Sequence, residues 1–288
     1  MHQSIISTYS KSHYLEVKVT CKIYIRCRII VSTKVQDYIL IATITLKYNI
    51  LLRSLNMKNK VLSNFDEAVK DFQDNSTFMS PGFGNVGVPR NLLAAVNRQG
   101  AKNLTGISNN AGALGDRVDV GTLIEAKQVK KMICAFTAPT HPSQVTPFVE
   151  MYNNDELDAE LVPQGTMAER IRAAAAGIGG FYTPTSVGTE LAEGKEHREI
   201  NGRTHVLEFP LHADYALIRA YRADTFGNLQ FRLAGRNFNP IMAMAAKITI
   251  VEVEKEIVEV GQLDPDQIHV SGVYVDRIIL IPSDGIFD

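Results

Sequence analysis

The 288-residue sequence has no tryptophan and only three cysteines, Cys21, Cys27 and Cys134. Three cysteines do not make a disulfide framework, so a reducing compartment is favoured. None stands in a Cys-x-x-Cys pair, and the seven histidines form no His-x-x-x-His or His/Cys cluster. A metal centre therefore has no support. The formal net charge is only -1, which points neither to nucleic acid nor to an acidic substrate. Long apolar runs are also missing. The best, Tyr38–Leu46, ends at Lys47 and is far short of the roughly 20 residues that span a bilayer. Ser80 and Ser186 have no evident His/Asp partners, which argues against a serine hydrolase.

The sharpest absence is local. Residues 1–56 contain no glycine, no proline and one alanine, Ala42, yet they hold half of the ten tyrosines. They carry eight Lys/Arg against Glu16 and Asp37, a surplus of +6, while the remainder has a balance of -7. A folded domain of that size does not normally avoid both turn-making residues. A targeting peptide fits the basic charge, but no small-residue cleavage site is evident and Ile, Lys and Tyr outnumber Arg, Ser and Ala. Ile-, Lys- and Tyr-rich sequence is what AT-rich DNA upstream of a gene yields on translation. The expectation is that residues 1–56 stand apart from the folded domain and that Met57 is the start of a domain running to 288. Cytoplasmic location is preferred over mitochondrial targeting by this leader.

What is present after Met57 is an alternation of short apolar runs and helical periods. "NFDEAVKDF" has its apolar residues at helical spacing, with Ser63 or Asn64 as cap. "STFMS" reads as a strand, "VPRNLLAAVNRQGA" as a helix from Pro89 to Gly100, and "KNLTGIS" as a strand. "VGTLIEAKQ", "KKMICAF", "TPFVEMYNND", "LDAELVP" and "GTMAERIRAAAAG" continue the alternation. This order predicts an α/β fold, an open, mainly parallel sheet flanked by helices. After Gly180 a β-rich C-terminal part is expected. "FYTPTSVGTELAEG" reads as a loop, Asn201-Gly202 as a hairpin turn, and "DYALIRAYRAD", "LQFR", "ITIVEVEKEIVEVG" and "VYVDRIIL" as strands around the short helix "NPIMAMAAK".

Residues Gly82–Gly87, "GFGNVG", match the dinucleotide-binding pattern Gly-x-Gly-x-x-Gly between a strand and a helix. That design also needs an Asp or Glu at the end of the second strand, about 20 residues on, for the ribose. Here the second strand runs into Ser108-Asn109-Asn110, and the nearest acid is Asp116. Val88-Pro89 further delays the helix. A nicotinamide oxidoreductase is thereby disfavoured but stays open. The same loop could serve another anionic or oxyanionic ligand through its exposed N–H groups, or be a tight turn with no ligand. "SNNAG" and "PQGT" lie at the ends of two further strands. In an open α/β sheet these loops converge at the carboxyl edge, where ligands bind.

Four stretches in order, "DNSTFMSPGFGNVGVPRNL", "LTGISNNAG", "LVPQGTMAERIRAAAAGIGGFYTPTSVGT" and "GRNFNPIMAMAA", resemble the alpha subunit of family I CoA-transferases. The resemblance covers about residues 57–281. It implies one chain of a hetero-oligomer such as α2β2, working with a separate beta subunit. Its substrates are then an acyl-CoA and a short-chain or 3-oxo carboxylic acid, with a coenzyme A thioester as substrate and no permanently bound cofactor. The family's nucleophile is a glutamate of the beta half, which forms an acyl-glutamyl anhydride and then an enzyme–CoA thioester in a ping-pong cycle. No catalytic nucleophile is then expected in this chain. Glu259-Val260-Gly261 has the Glu-x-Gly form but sits where a strand ends, and is read as a structural turn. The resemblance places Pro81, Gly82, Phe83, Gly84, Asn85, Val86 and Gly87 in the CoA-contact loop, with Pro81 in place of the family's first glycine. It places Asn109 and Gln164 beside the thioester carbonyl, with Asn110 orienting the loop. The stretch around His141 departs from the family pattern and is expected to bear on the choice of acid. Arg172 is read as pairing on a helix surface with Glu169 rather than binding a CoA phosphate. A ligand-binding module without catalysis is the remaining alternative.

Overall fold

The computed structural model describes residues 59–112, 117–137 and 145–283. The leader, His141 and Asp116 lie outside these. Eleven strands and six α-helices are described: α1 (Phe65–Val69), β1 (Thr77–Ser80), α2 (Arg90–Gln99), β2 (Leu104–Asn110), α3 (Val120–Glu125), β3 (Val129–Phe136), α4 (Pro147–Asn153), β4 (Asp158–Leu161), α5 (Gln164–Ala175), β5 (Phe181–Thr183), β6 (His197–Ile200), β7 (Arg203–Glu208), β8 (Ala213–Asp224), β9 (Leu229–Gln230), α6 (Asn239–Ala243), β10 (Ala246–Val258) and β11 (Arg277–Leu280). Among the described residues, no helix is long and apolar enough to cross a membrane.

Seven strands of the main sheet run in the order β11-β10-β8-β1-β2-β3-β4, each neighbouring pair parallel, and the short β9 pairs antiparallel with β8. From β1 the chain steps outward to β4, then returns to the other side of β1 through β8, β10 and β11. A parallel crossover is right-handed, so reversing the direction of travel moves the connecting helices to the opposite face. Two apolar layers result. Phe78, Leu92, Leu93, Leu123, Ile124 and Met132 belong to one, with α1 to α4. Met79, Ile107, Met167, Ile171, Ile218 and Met242 belong to the other, with α5 and α6. Adjacent residues Phe78 and Met79 of β1 serve opposite layers, as the two-residue period of a strand requires.

The helix ends follow local chemistry. Asn64 caps α1, its Oδ1 accepting from Glu67 N at 2.8 Å. Gly100 closes α2 at φ +85°, and its N–H donates to Val96 O at 3.1 Å. Asn201-Gly202 turns the β6–β7 hairpin with both residues at positive φ.

The C-terminal third is rich in strands, as expected, and β8, β10 and β11 extend the same parallel sheet. It departs from expectation in two places. The second sheet is small and antiparallel, in the order β5-β7-β6. One of its strands, β5, lies within "FYTPTSVGTELAEG", whose composition is that of a loop. Phe181–Thr183 become strand by pairing with β7, a long-range partner that local composition does not disclose. In "VYVDRIIL" only Arg277–Leu280 is strand, because Ser271 Oγ accepts from Val273 N and starts a short 3-10 turn at Gly272–Tyr274.

Candidate functional site

The topological switch at β1 brings the candidate residues to one edge. The glycine loop leaves β1, Asn109 and Asn110 close β2, and Gln164 opens α5 directly after β4. Asn109 is 4% exposed, and its Oδ1 accepts from Gln164 Nε2 at 2.7 Å. Asn109 Nδ2 has no acceptor among the described residues. If the two amides were turned over, Gln164 would be the one with a free NH2. Either way, the pair leaves NH2 hydrogens for a ligand oxygen. Asn110 follows Asn109 in a strand and so faces the other side of the sheet. It lies opposite Phe136 in the β2–β3 ladder.

The glycine loop is a closed turn. Phe83 N donates to Val86 O at 3.1 Å and Val86 N to Phe83 O at 3.2 Å. The Phe83 N–H, expected as a ligand donor, is thus occupied within the loop. Pro81 and Gly82 are buried, whereas Phe83, Gly84, Asn85 and Val86 are exposed. The glycines do not share one purpose. A Cβ on Gly87 would stand 2.6 Å from Asn237 Nδ2 and 2.9 Å from Asn239 Nδ2, and one on Gly82 would stand 2.7 Å from Val88 Cγ2. Gly84, by contrast, faces open space.

The brace behind this loop comes from Asn237 and Asn239 of "GRNFNP". Asn239 is fully buried. Its Nδ2 donates to Gly87 O and Gly235 O, each at 3.0 Å, while its Oδ1 accepts from Arg219 N at 2.8 Å. Asn237 Nδ2 donates to Val86 O at 3.1 Å and Ala234 O at 2.7 Å. From the other side buried Arg90 donates to Asn85 O at 3.1 Å and Val118 O at 2.7 Å. Burial lowers the Arg90 pKa from the ordinary arginine value, and nearby Asp119 opposes that shift. The sequence alone gives these asparagines no task. An asparagine flanking a helix-opening Asn-Pro is the one local signal they carry.

Helix α2 has Pro89 at its cap position and no local side-chain cap. Glu252 of β10 supplies the acceptor instead. Its Oε2 accepts from Leu92 N at 3.0 Å, and Oε1 lies 3.5 Å from both Asn91 Nδ2 and Arg219 Nη1. The carboxylate is fully buried. Burial raises its pKa to about 7 against the opposing pull of the Leu92 N–H and Arg219.

Glu259-Val260-Gly261 forms a turn after β10, with Gln262 N donating to Glu259 O at 3.1 Å and Gly261 at φ +87°. Arg172 holds Glu169 with Nη2–Oε1 at 2.5 Å and Nε–Oε2 at 2.9 Å, the helix-surface pair expected from spacing. Cys134, in β3, is fully buried, which pushes its thiol up to about 12.

Residues 62–280 match the profile of the coenzyme A transferase family. The chain is 51% identical over 221 residues to the A subunit of a probable succinyl-CoA:3-ketoacid coenzyme A transferase of Bacillus subtilis (strain 168), covering 77% of this chain and 90% of that one. It is 47% identical over 227 residues to the A subunit of the Pseudomonas putida 3-oxoadipate CoA-transferase, covering 78% and 95%. Its fold is similar to the crystal structure of glutaconate coenzyme A-transferase from Acidaminococcus fermentans, with a TM-score of 0.66, 23% identity, and coverage of 77% of this chain and 76% of that one.

Proposed function

The chain belongs to the coenzyme A transferase family and corresponds to its alpha chain, and we propose that it forms one wall of a site whose nucleophilic glutamate comes from a beta subunit. The two chains assemble as a cytoplasmic hetero-oligomer such as α2β2. The observation that carries this reading is the Asn109–Gln164 pair at the carboxyl edge of the sheet. The acyl-CoA thioester carbonyl lies against the free amide NH2 of that pair. The partner's carboxylate attacks the carbonyl carbon, and the oxyanion that develops is stabilised by the amide donor, an interaction worth about 3–4 kcal/mol of barrier. Collapse expels CoA thiolate and leaves an acyl-glutamyl anhydride. The thiolate then attacks the glutamyl carbonyl, releasing the carboxylic acid and leaving an enzyme–CoA thioester. A second acid reverses the sequence.

The exposed side of the glycine loop, Phe83 to Val86, lies along the CoA thioester. Pro81 gives that loop shape but no donor, since proline has no N–H. Bacillus and Pseudomonas relatives named for succinyl, 3-keto and 3-oxoadipyl substrates support a short-chain dicarboxylic or 3-oxo acid pair. The test is co-expression with the beta subunit, followed by borohydride treatment. Inactivation is expected only after acyl-CoA is added, through reduction of the enzyme–CoA thioester. A mixture that exchanges CoA with none of succinate, acetoacetate, butyrate and acetate sinks the proposal.

A further inference from the structure

The mouths of α2 and α5 are both opened by a proline that offers no side-chain cap. At α2 the protein provides its own acceptor, the Glu252 carboxyl. At α5 it provides none. The N–H groups of Gln164, Gly165 and Thr166 have no acceptor among the described residues. A cavity of about 490 Å³ opens there, between the first turns of α5 and strand β5, with Gly165, Thr166, Phe181, Tyr182 and Thr183 in its wall. Thr166 is 5% exposed, and its hydroxyl is buried with no hydrogen-bond partner. A buried hydroxyl without a partner is unfavourable, and threonine in a helix has two usable χ1 rotamers through which to reach an acceptor. Gly165 adds room, since a Cβ there would meet nothing within 4 Å.

The donors point to an anion. Helix N-terminal N–H groups and the helix dipole together favour negative charge. Glu169 also lines the cavity, but farther along α5, where Arg172 neutralises it. The ring of Phe181, on the face of the small sheet that Glu208 turns toward Arg170 of α5, gives an apolar wall for a hydrocarbon segment. Gln164, the residue assigned to the thioester carbonyl, belongs to the same first turn.

We propose that this cavity is the acid-selecting subsite, and that it holds the distal carboxylate of a dicarboxylic acyl group. The carboxylate sits on the Gly165 and Thr166 N–H groups and the Thr166 hydroxyl, and the intervening methylenes lie along Phe181. This rests on the reading that the thioester lies at Asn109 and Gln164.

The experiment compares succinyl-CoA with butyryl-CoA as donors for the assembled two-subunit enzyme. The two acyl groups have the same number of carbons and differ in the distal carboxylate. Thr166→Val removes the hydroxyl at constant shape, and Gly165→Val fills the cavity from a position with open space. Each is expected to lower kcat/KM at least about 10-fold more for succinyl-CoA than for butyryl-CoA, mainly through KM. If one variant fails to fold, the other decides. A parent enzyme that uses both donors equally, or variants that lower both equally, overturns the subsite and leaves the CoA-transfer mechanism standing. A parent that uses neither donor overturns the subsite, and one that exchanges CoA with none of succinate, acetoacetate, butyrate and acetate overturns both.

Discussion

Asn109 and Glu252 are both buried polar side chains near the carboxyl edge of the sheet, and they do opposite things with their hydrogen bonds. Asn109 keeps an NH2 without an acceptor among the described residues, beside Gln164. Replacing it with alanine removes that donor and leaves the β2 ladder intact. Asn109→Ala in the assembled enzyme is expected to lower kcat by about 10²–10³-fold with a small change in KM, measured by steady-state CoA transfer. An equal loss of thermal stability and activity would instead mark Asn109 as a strand-packing residue. Glu252 directs its oxygens at α2 and Arg219 and is fully shielded from solvent. Its pKa in the fold, about 7, lies above the ordinary value of 4.5. A raised pKa means that the folded state binds the proton more tightly. The contribution of Glu252 to stability is therefore full below pH 4.5 and is lost as pH rises through about 7. Glu252→Gln has no proton to lose. The stability difference between variant and parent should move in favour of Gln from about pH 5 to about pH 8, by on the order of 3 kcal/mol at most. Urea unfolding at the two pH values measures it. A difference that does not change with pH would show Glu252 ionising at its ordinary value.

At the scale of elements, the glycine loop is one half of a joint whose other half is the 233–239 segment. Gly87 has φ +75° and touches the Asn237 and Asn239 amides, whereas Gly84 has φ +57° and faces open space. Alanine at Gly84 is expected to cost about 1–2 kcal/mol, the conformational penalty alone. Alanine at Gly87 adds displacement of both asparagines and should cost more and raise the KM for acyl-CoA. Thermal melts and initial rates on the two variants make the comparison, and equal effects would show that the Asn brace yields. The small antiparallel sheet is fixed by a second joint. Arg170 of α5 donates to Phe209 O at 2.7 Å and to Glu160 of β4 at 2.8 Å, and buried Glu208 of β7 pairs with Lys195 at 2.6 Å. Arg170 thereby holds β5 and β7 beside the first turns of α5 and gives the cavity there its second wall.

At the scale of the whole molecule, two further outcomes are expected. A chain begun at Met57 should match the full chain both in CoA transfer and in assembly with the beta subunit, tested by rate and co-purification; a loss of either would give residues 1–56 a place in the working protein. Without its partner, either chain should show no CoA exchange. Much of this architecture was legible in the sequence. Alternating strand and helix patterns with polar loops after the strands dictate a parallel α/β sheet, because parallel strands need crossovers and crossovers bring successive loops to one edge. The missing acid after the second strand argued against a dinucleotide, and the order of four motifs carried the family resemblance. Other features depended on contacts between residues far apart in the chain. Phe181–Thr183 become a strand only because β7 is there to pair with them. Of Asn109 and Asn110, the structure places Asn109 against Gln164, 55 positions away. The α2 cap comes from Glu252, 160 positions beyond Leu92, and the glycine loop rests on asparagines about 150 positions downstream. Local sequence determined periods, turns and caps, since those forces act within a few residues. The tertiary structure decided which buried donors found acceptors, and which, like the Thr166 hydroxyl, did not.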